Sequence, residues 1–247
     1  MSEIRYFQIT DIVSDDFKVG TRNSEFVVTV YGKDTDGDNV VCHVKGYKPY
    51  VYLKVPDWCQ SVSEAFINEE VIENSGQASY HKDRVKRELT ISHTKCKEFY
   101  GFHWDEKTNG VQTFQFLKLE FLTYQSLKKC IRWIKDCYAR GMDETHADYD
   151  NLRKSYGVWF RSDIMKTTPK CDCNLYESFV HPVVRFIHET KIEPTGWVAV
   201  KQTSGPETGL FKEDDEIWCT KEGFKPHDST QVSEYTIASF DIECDSS

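Results

Sequence analysis

The chain has 247 residues, 39% hydrophobic and 29% charged, enough to bury one large core or two modest ones and too apolar for a disordered or fibrous protein. No apolar run approaches the ~18 residues of a bilayer helix, and residues 1–10 lack the basic and apolar halves of a signal peptide, so the expectation is an intracellular chain with no membrane span. A net charge of −9 gives nothing for nucleic-acid binding and something against it, because phosphate binding needs positive surface, so charge has to be read locally.

Residues 26–31 and 39–44 alternate β-branched and polar side chains around Asp34, Thr35, Asp36, Gly37 and Asp38, and the Asp-Gly step predicts a hairpin. Residues 47–55 read as a tyrosine-rich strand in which Pro49 marks an edge or a strand start. Ser61 or Ser63 can cap a short helix carrying Val62, Phe66, Ile67, Val71 and Ile72, ended by Asn74 and Gly76. A polar loop then leads to two strands, 88–94 and 114–122. The clearest periodicity follows: Leu127, Cys130, Ile131, Ile134, Cys137 and Tyr138 share one face of a helix over 124–140, capped by Thr123 and ended by Gly141. Strand, helix, strand, strand, helix over 47–140 is most of the βαββα pattern of RNA-recognition-like modules, and residues 143–169 supply no assignable final strand. Pro182 sits at the first position of a further helix with Val183, Phe186 and Ile187 on its apolar face. Strands at 196–202 and 216–220 follow, and an apolar strand at 235–243 enters a new, well-buried sheet.

The nine cysteines are odd in number and form no C-x-x-C pair, which predicts reduced thiols; Cys171, Cys173 and His181 could hold a metal but have no second close-spaced pair beside them. Charge is uneven along the chain. Lys82, Arg84, Lys86, Arg87, Lys95 and Lys97 outnumber the acids of 81–100, and Lys128, Lys129, Arg132, Lys135 and Arg140 face only Asp136, whereas 207–222 is acidic. Each stretch is either a solvated face or a contact surface.

Asp241 and Glu243 stand two apart at the end of an apolar strand and so point to the same side, where they could share a hard divalent cation or simply end a strand. The run SFDIEC that contains them resembles the first exonuclease motif of family B DNA polymerases. VCHVKGYKPYVYLKVP resembles that family's G-x-x-P-Y-x-Y segment, KCKEFYGF and FQFLKLEFLT the strands after it, and LYESFVHPVVRFIHETKIEPTGWV the Tyr-Glu, Pro, Arg-Phe and Gly-Trp pattern that precedes the exonuclease. The YES, RFIH and GWV wording looks closest to the delta-type catalytic subunits of eukaryotes and their relatives in large double-stranded DNA viruses.

The resemblance implies an α+β fold. An OB-like mixed β-barrel and an RNA-recognition-like βαββα part over 47–140 would form an amino-terminal domain over 1–233, and 234–247 would begin a ribonuclease H-like 3′-5′ exonuclease domain. It also implies a truncated chain, inactive alone, whose parent adds deoxynucleotides to a primer and proofreads the new end. In that parent Asp241 and Glu243 would hold two Mg²⁺ or Mn²⁺ ions, Glu243 also orienting the attacking water. The implied partners are DNA primer-template, single-stranded template DNA and deoxynucleotides, with a sliding clamp reached through regions outside this chain, in the nucleus or a viral replication factory. Tyr47, Tyr50 and Tyr52, interleaved with Lys45, Lys48 and Lys54, are candidates for template contact, where a stacked base contributes ~1–3 kcal/mol; the same tyrosines also suit half-buried packing. Lys128 and Lys129 are a second candidate contact or a solvated face. A free-standing single-stranded nucleic-acid-binding module and an exonuclease without a polymerase remain open, and a Y-G-D-T-D motif further along the gene would separate them.

Overall fold

The computed structural model describes residues 4–19, 23–54, 64–97, 104–105, 110–142, 145, 147, 175–204 and 216–234. In chain order these carry β1 (Ile4–Val19), β2 (Asn23–Lys33), β3 (Asn39–Lys45), β4 (Tyr50–Lys54), a π-helical segment (Phe66–Ile72), α1 (Ser79–Glu88), β5 (Leu89–Lys97), β6 (Trp104–Asp105), β7 (Gly110–Val111) and β8 (Thr113–Phe121). There follow α2 (Tyr124–Met142), β9 (Leu175–Tyr176), α3 (Pro182–Thr190), β10 (Trp197–Lys201), β11 (Glu216–Thr220) and β12 (Phe224–His227).

One sheet has the order β11-β3-β2-β1-β10-β12, antiparallel except for the β11–β3 pair. It curls until Thr203, just past β10, donates its N–H to Trp218 O of β11 at 2.7 Å. Phe7, Ile9, Phe26, Val28, Val30, Val40, Cys42 and Val44 fill the inside of the curl together with Phe186 of α3 and Phe224 of β12. The β2–β3 turn is the predicted one: Asp34 Oδ1 accepts from the N–H groups of Asp36 and Asp38 at 3.1 and 3.0 Å, and Gly37 takes φ +82°. Residues 4–19, to which the sequence assigns no element, form a 16-residue strand. Among its described side chains Phe7 and Ile9 alone are buried, and its register with β2 slips between Ile9 and Asp11, which interrupts the alternation that reveals a strand. At Gly32 a Cβ would lie 2.3 Å from the Phe7 ring, which is why β2 crosses Phe7 with no side chain.

The second sheet, β5-β8-β4-β9, is antiparallel throughout. Val51, Leu53, Leu117, Leu119 and Leu175 face Leu127, Cys130, Ile134 and Tyr138 of α2 and Phe66, Ile67 and Val71 of the π-helical segment, all buried. Each such aliphatic or aromatic side chain contributes about 1.5–3 kcal/mol by leaving water. β9 pairs with β4 at the edge of this sheet. It is two residues long, too short for any periodic signal.

Two expectations need correction. The polar loop before β5 is α1, a helix in which Val85 and Glu88 alone are buried. Its apolar stripe is too narrow to register as periodicity, and it is held by the Arg84–Glu88 ion pair one turn apart and by Lys82 and Lys86 reaching Glu73. Gly141 does not end α2, which continues helically through it to Met142. Ser61, Ser63 and the strand expected at 235–243 lie outside the described residues.

Candidate nucleic-acid interface

Period-two alternation along β4 sends Val51 and Leu53 into the core under α2, and Tyr50, Tyr52 and Lys54 to the opposite face. There Tyr52 meets Tyr50 and Phe116 at ring-centroid distances of 5.3 and 6.3 Å, and Phe116 meets Tyr176 at 5.2 Å, all edge-on. Burial raises the Tyr52 phenol above its ordinary range, with the Cys96 thiol adding to the effect.

Tyr50 is 9% exposed, and it does not present a ring to solvent as the interleaved pattern predicts. Lys118 Nζ lies 4.1 Å and the Arg185 guanidinium carbon 4.3 Å from its ring centroid, and its hydroxyl donates to Glu189 Oε1 at 2.8 Å. Burial, then the bond to Glu189, push this phenol far above its usual range. Burial alone would raise Glu189, but hydrogen bonds from Lys221 and Tyr50 outweigh it and hold the carboxyl below its usual range. Tyr47 is likewise buried, edge-on to Phe186 at 5.6 Å. Both tyrosines are packing residues joining the two sheets through α3.

The remaining candidates are dispersed. Lys45 donates to Ser204 O at 3.0 Å at the end of β3, and Lys48 is exposed in the connection to β4. Lys128 is exposed with its ammonium 4.6 Å from the Tyr124 centroid, and Lys129 Nζ lies 3.0 Å from His81 Nδ1. Since α2 covers the core side of the second sheet, Lys128 and Lys129 stand across that sheet from Tyr52. A one-dimensional reading of interleaved rings and lysines cannot see this separation. Asp241 and Glu243, with Cys171 and Cys173, lie outside the described residues. His181 serves α3, its Nδ1 accepting from Val183 N–H at 3.3 Å. Among the described residues no group of three or more His, Cys, Asp or Glu side chains is placed to hold a metal ion, and no helix is long and apolar enough to cross a membrane.

Residues 173–247, which include β9, α3, β10, β11 and β12, match the family model for the exonuclease domain of DNA polymerase family B. The DNA polymerase of Pyramimonas orientalis virus is 24% identical over 246 residues, 98% of this chain and 17% of that protein. The DNA polymerase delta catalytic subunit of Drosophila melanogaster is 21% identical over 235 residues, 88% of this chain and 18% of that protein. The chain is thus similar to DNA polymerases along most of its length. A solved family B DNA polymerase from Pyrobaculum calidifontis, 13% identical, aligns with 91% of this chain and 21% of its own at a TM-score of 0.48. The chain spans between 12% and 21% of the length of the curated DNA polymerases it matches.

Proposed function

We propose that the chain is the amino-terminal, template-contacting scaffold of a replicative DNA-directed DNA polymerase with a 3′-5′ proofreading exonuclease. The observation that carries this reading is the family match over 173–247, which contains the run from Ser239 to Cys244 with both carboxylates. In this reading the scaffold occupies 1–233 and the exonuclease domain begins at 234. The strand order β5-β8-β4-β9 with its helices on one face supports an RNA-recognition-like part, and the closure of the first sheet at Thr203 and Trp218 supports an OB-like barrel. Lys45, Lys48 and Tyr52 contact template single strand, with Lys128 and Lys129 on the other side of the second sheet. The parent works on primer-template DNA and deoxynucleotides, in the nucleus or in a viral replication factory.

The donor set of Asp241 and Glu243, two carboxylates two positions apart, fits Mg²⁺ or Mn²⁺, which take hard oxygen ligands. A bound pair of such ions would supply a nucleophilic hydroxide and stabilise the leaving oxygen of a phosphodiester. Glu243 would in addition accept a proton or a hydrogen bond from the attacking water.

In the full-length polymerase, Asp241→Ala with Glu243→Ala should lower removal of a mismatched primer end by on the order of a hundredfold or more, since lost metal-ion stabilisation amounts to several kcal/mol. Nucleotide incorporation should persist. A labelled-primer assay reads both activities, and their joint loss in a folded variant sinks the assignment.

A further inference from the structure

Two basic stretches separated by some forty residues of sequence become one surface. α1 and α2 lie side by side, with His81 Nδ1 3.0 Å from Lys129 Nζ and Arg84 Nη1 donating to Gln125 Oε1 at 3.1 Å. Two of the nearby acids are already engaged. Glu88, buried, accepts from Arg84 Nε at 2.8 Å and from the Thr123 hydroxyl, while Glu73 takes Lys82 and Lys86. Arg87, Lys128 and Arg132 are exposed, Lys129 is half-buried, and none of the four has a carboxylate within ion-pair distance among the described residues. Against them stand two exposed acids, Asp83 and Asp136.

The field on this surface is felt by Lys129 itself. Burial lowers its ammonium below the ordinary lysine range, and the Arg84 guanidinium lowers it further against the opposing pull of Glu88. An anion arriving beside Lys129 would relieve that repulsion. Lys128, Lys129 and Arg132 follow one another over about 6 Å of helix axis, a row of cations rather than a single pocket. Tyr80, 69% exposed, is the one large apolar side chain that α1 and α2 leave uncovered among the described residues, so an acidic peptide would find no socket for an apolar anchor. A sugar-phosphate backbone needs none.

We propose that the α1–α2 face, centred on Lys129 and Arg132 with Lys128 and Arg87 at its margins, binds the phosphate backbone of single-stranded DNA without reading its bases. The proposal rests on the reading of the chain as DNA polymerase sequence and gives it a second DNA surface, across the sheet from Tyr52. With a net charge of −9 the chain repels DNA at long range, and the face attracts it only within a Debye length of ~8 Å at physiological salt.

The test uses the intact 247-residue chain and a fluorescent oligothymidylate, with anisotropy titrations between about 50 and 200 mM salt. Lys129→Gln with Arg132→Gln should weaken binding and lower the slope of log affinity against log salt by about 0.7 for each phosphate that the variant leaves without a cation. The charge-matched pair Lys201→Gln with Lys225→Gln, on exposed sites of β10 and β12, should keep the original slope. If Lys129 proves necessary for folding, Lys128→Gln with Arg132→Gln, both exposed, reads the same quantity. Absence of binding by the unaltered chain, an unchanged slope in the folded face variants, or an equal fall in the control pair each overturns the proposal. None of these touches the exonuclease assay of Asp241 and Glu243, so the two readings fail separately.

Discussion

Both carboxylate oxygens of Asp16, on β1, accept from the first backbone N–H groups of α2: Tyr124 at 2.8 Å and Gln125 at 2.9 Å. A helix leaves its first four N–H groups without internal partners, and here a residue more than a hundred positions away takes two while Thr123 Oγ1 takes Ser126 N–H at 3.3 Å. The negative charge also opposes the positive end of the helix dipole. Asp16→Ala should therefore destabilise the chain by about 1–2 kcal/mol, and Asp16→Asn, which keeps an acceptor but not the charge, by less. Urea denaturation measures both; equal stability of Asp16→Ala and the unaltered chain contradicts the capping role.

At the scale of elements, β2, β3 and β11 are stitched by one buried histidine. His43 Nδ1 lies 3.0 Å from Thr29 Oγ1, its Nε2 lies 3.5 Å from Glu216 Oε2, and its ring meets Trp218 at a centroid distance of 4.6 Å, tilted by 33°. Burial lowers the imidazole below its ordinary range, and Glu216 opposes this without reversing it. The folded pKa thus lies below the unfolded value of about 6.5, so the unfolded chain binds more protons between the two. The stabilisation from neutral His43 is complete above about pH 6.5 and is lost as pH falls through the folded pKa. Stability plotted against pH should show a downward limb below neutrality that His43→Gln lacks. Identical curves for the two proteins would remove His43 as its source.

Over the whole molecule, two cores must behave as one body or two. Tyr124 packs against both, and Arg185 of α3, buried, donates to Tyr50 O at the start of β4 and to Glu177 O. Glu189, one turn further along α3, takes the Tyr50 hydroxyl and the Lys221 ammonium. With polar clamps on both sides of Tyr50, the cores should unfold together, so that tryptophan fluorescence and far-ultraviolet circular dichroism give one coincident transition. Arg185→Ala removes the buried donor to Tyr50 O, at about 1–3 kcal/mol, and should lower the midpoint or split the transition. Unfolding of the unaltered chain in two separate steps, or an Arg185→Ala variant as stable as its parent, contradicts the coupling.

The hairpin about Gly37, α2 and the Pro182 start of α3 were legible because their signals are local: an Asp-Gly turn, apolar residues one helical turn apart, a proline whose missing N–H costs nothing at the first helical position. Asp241 and Glu243 were legible only as words of a motif that the chain resembles. α1 was not, because a helix with a single buried aliphatic side chain takes its stability from Glu73 and Glu88, and such ion pairs leave no periodic trace. Nor could pattern divide Tyr50 from Tyr52. They sit on the same face of one strand, and what separates them is Lys118 and Arg185 arriving from distant elements to cover one ring. In sequence the two basic stretches were two separate patches, each a solvated face or a contact surface, until α1 and α2 met. Charge adds up through space while sequence orders it along the chain, so their union into one surface depended on the packing of both helices against the second sheet.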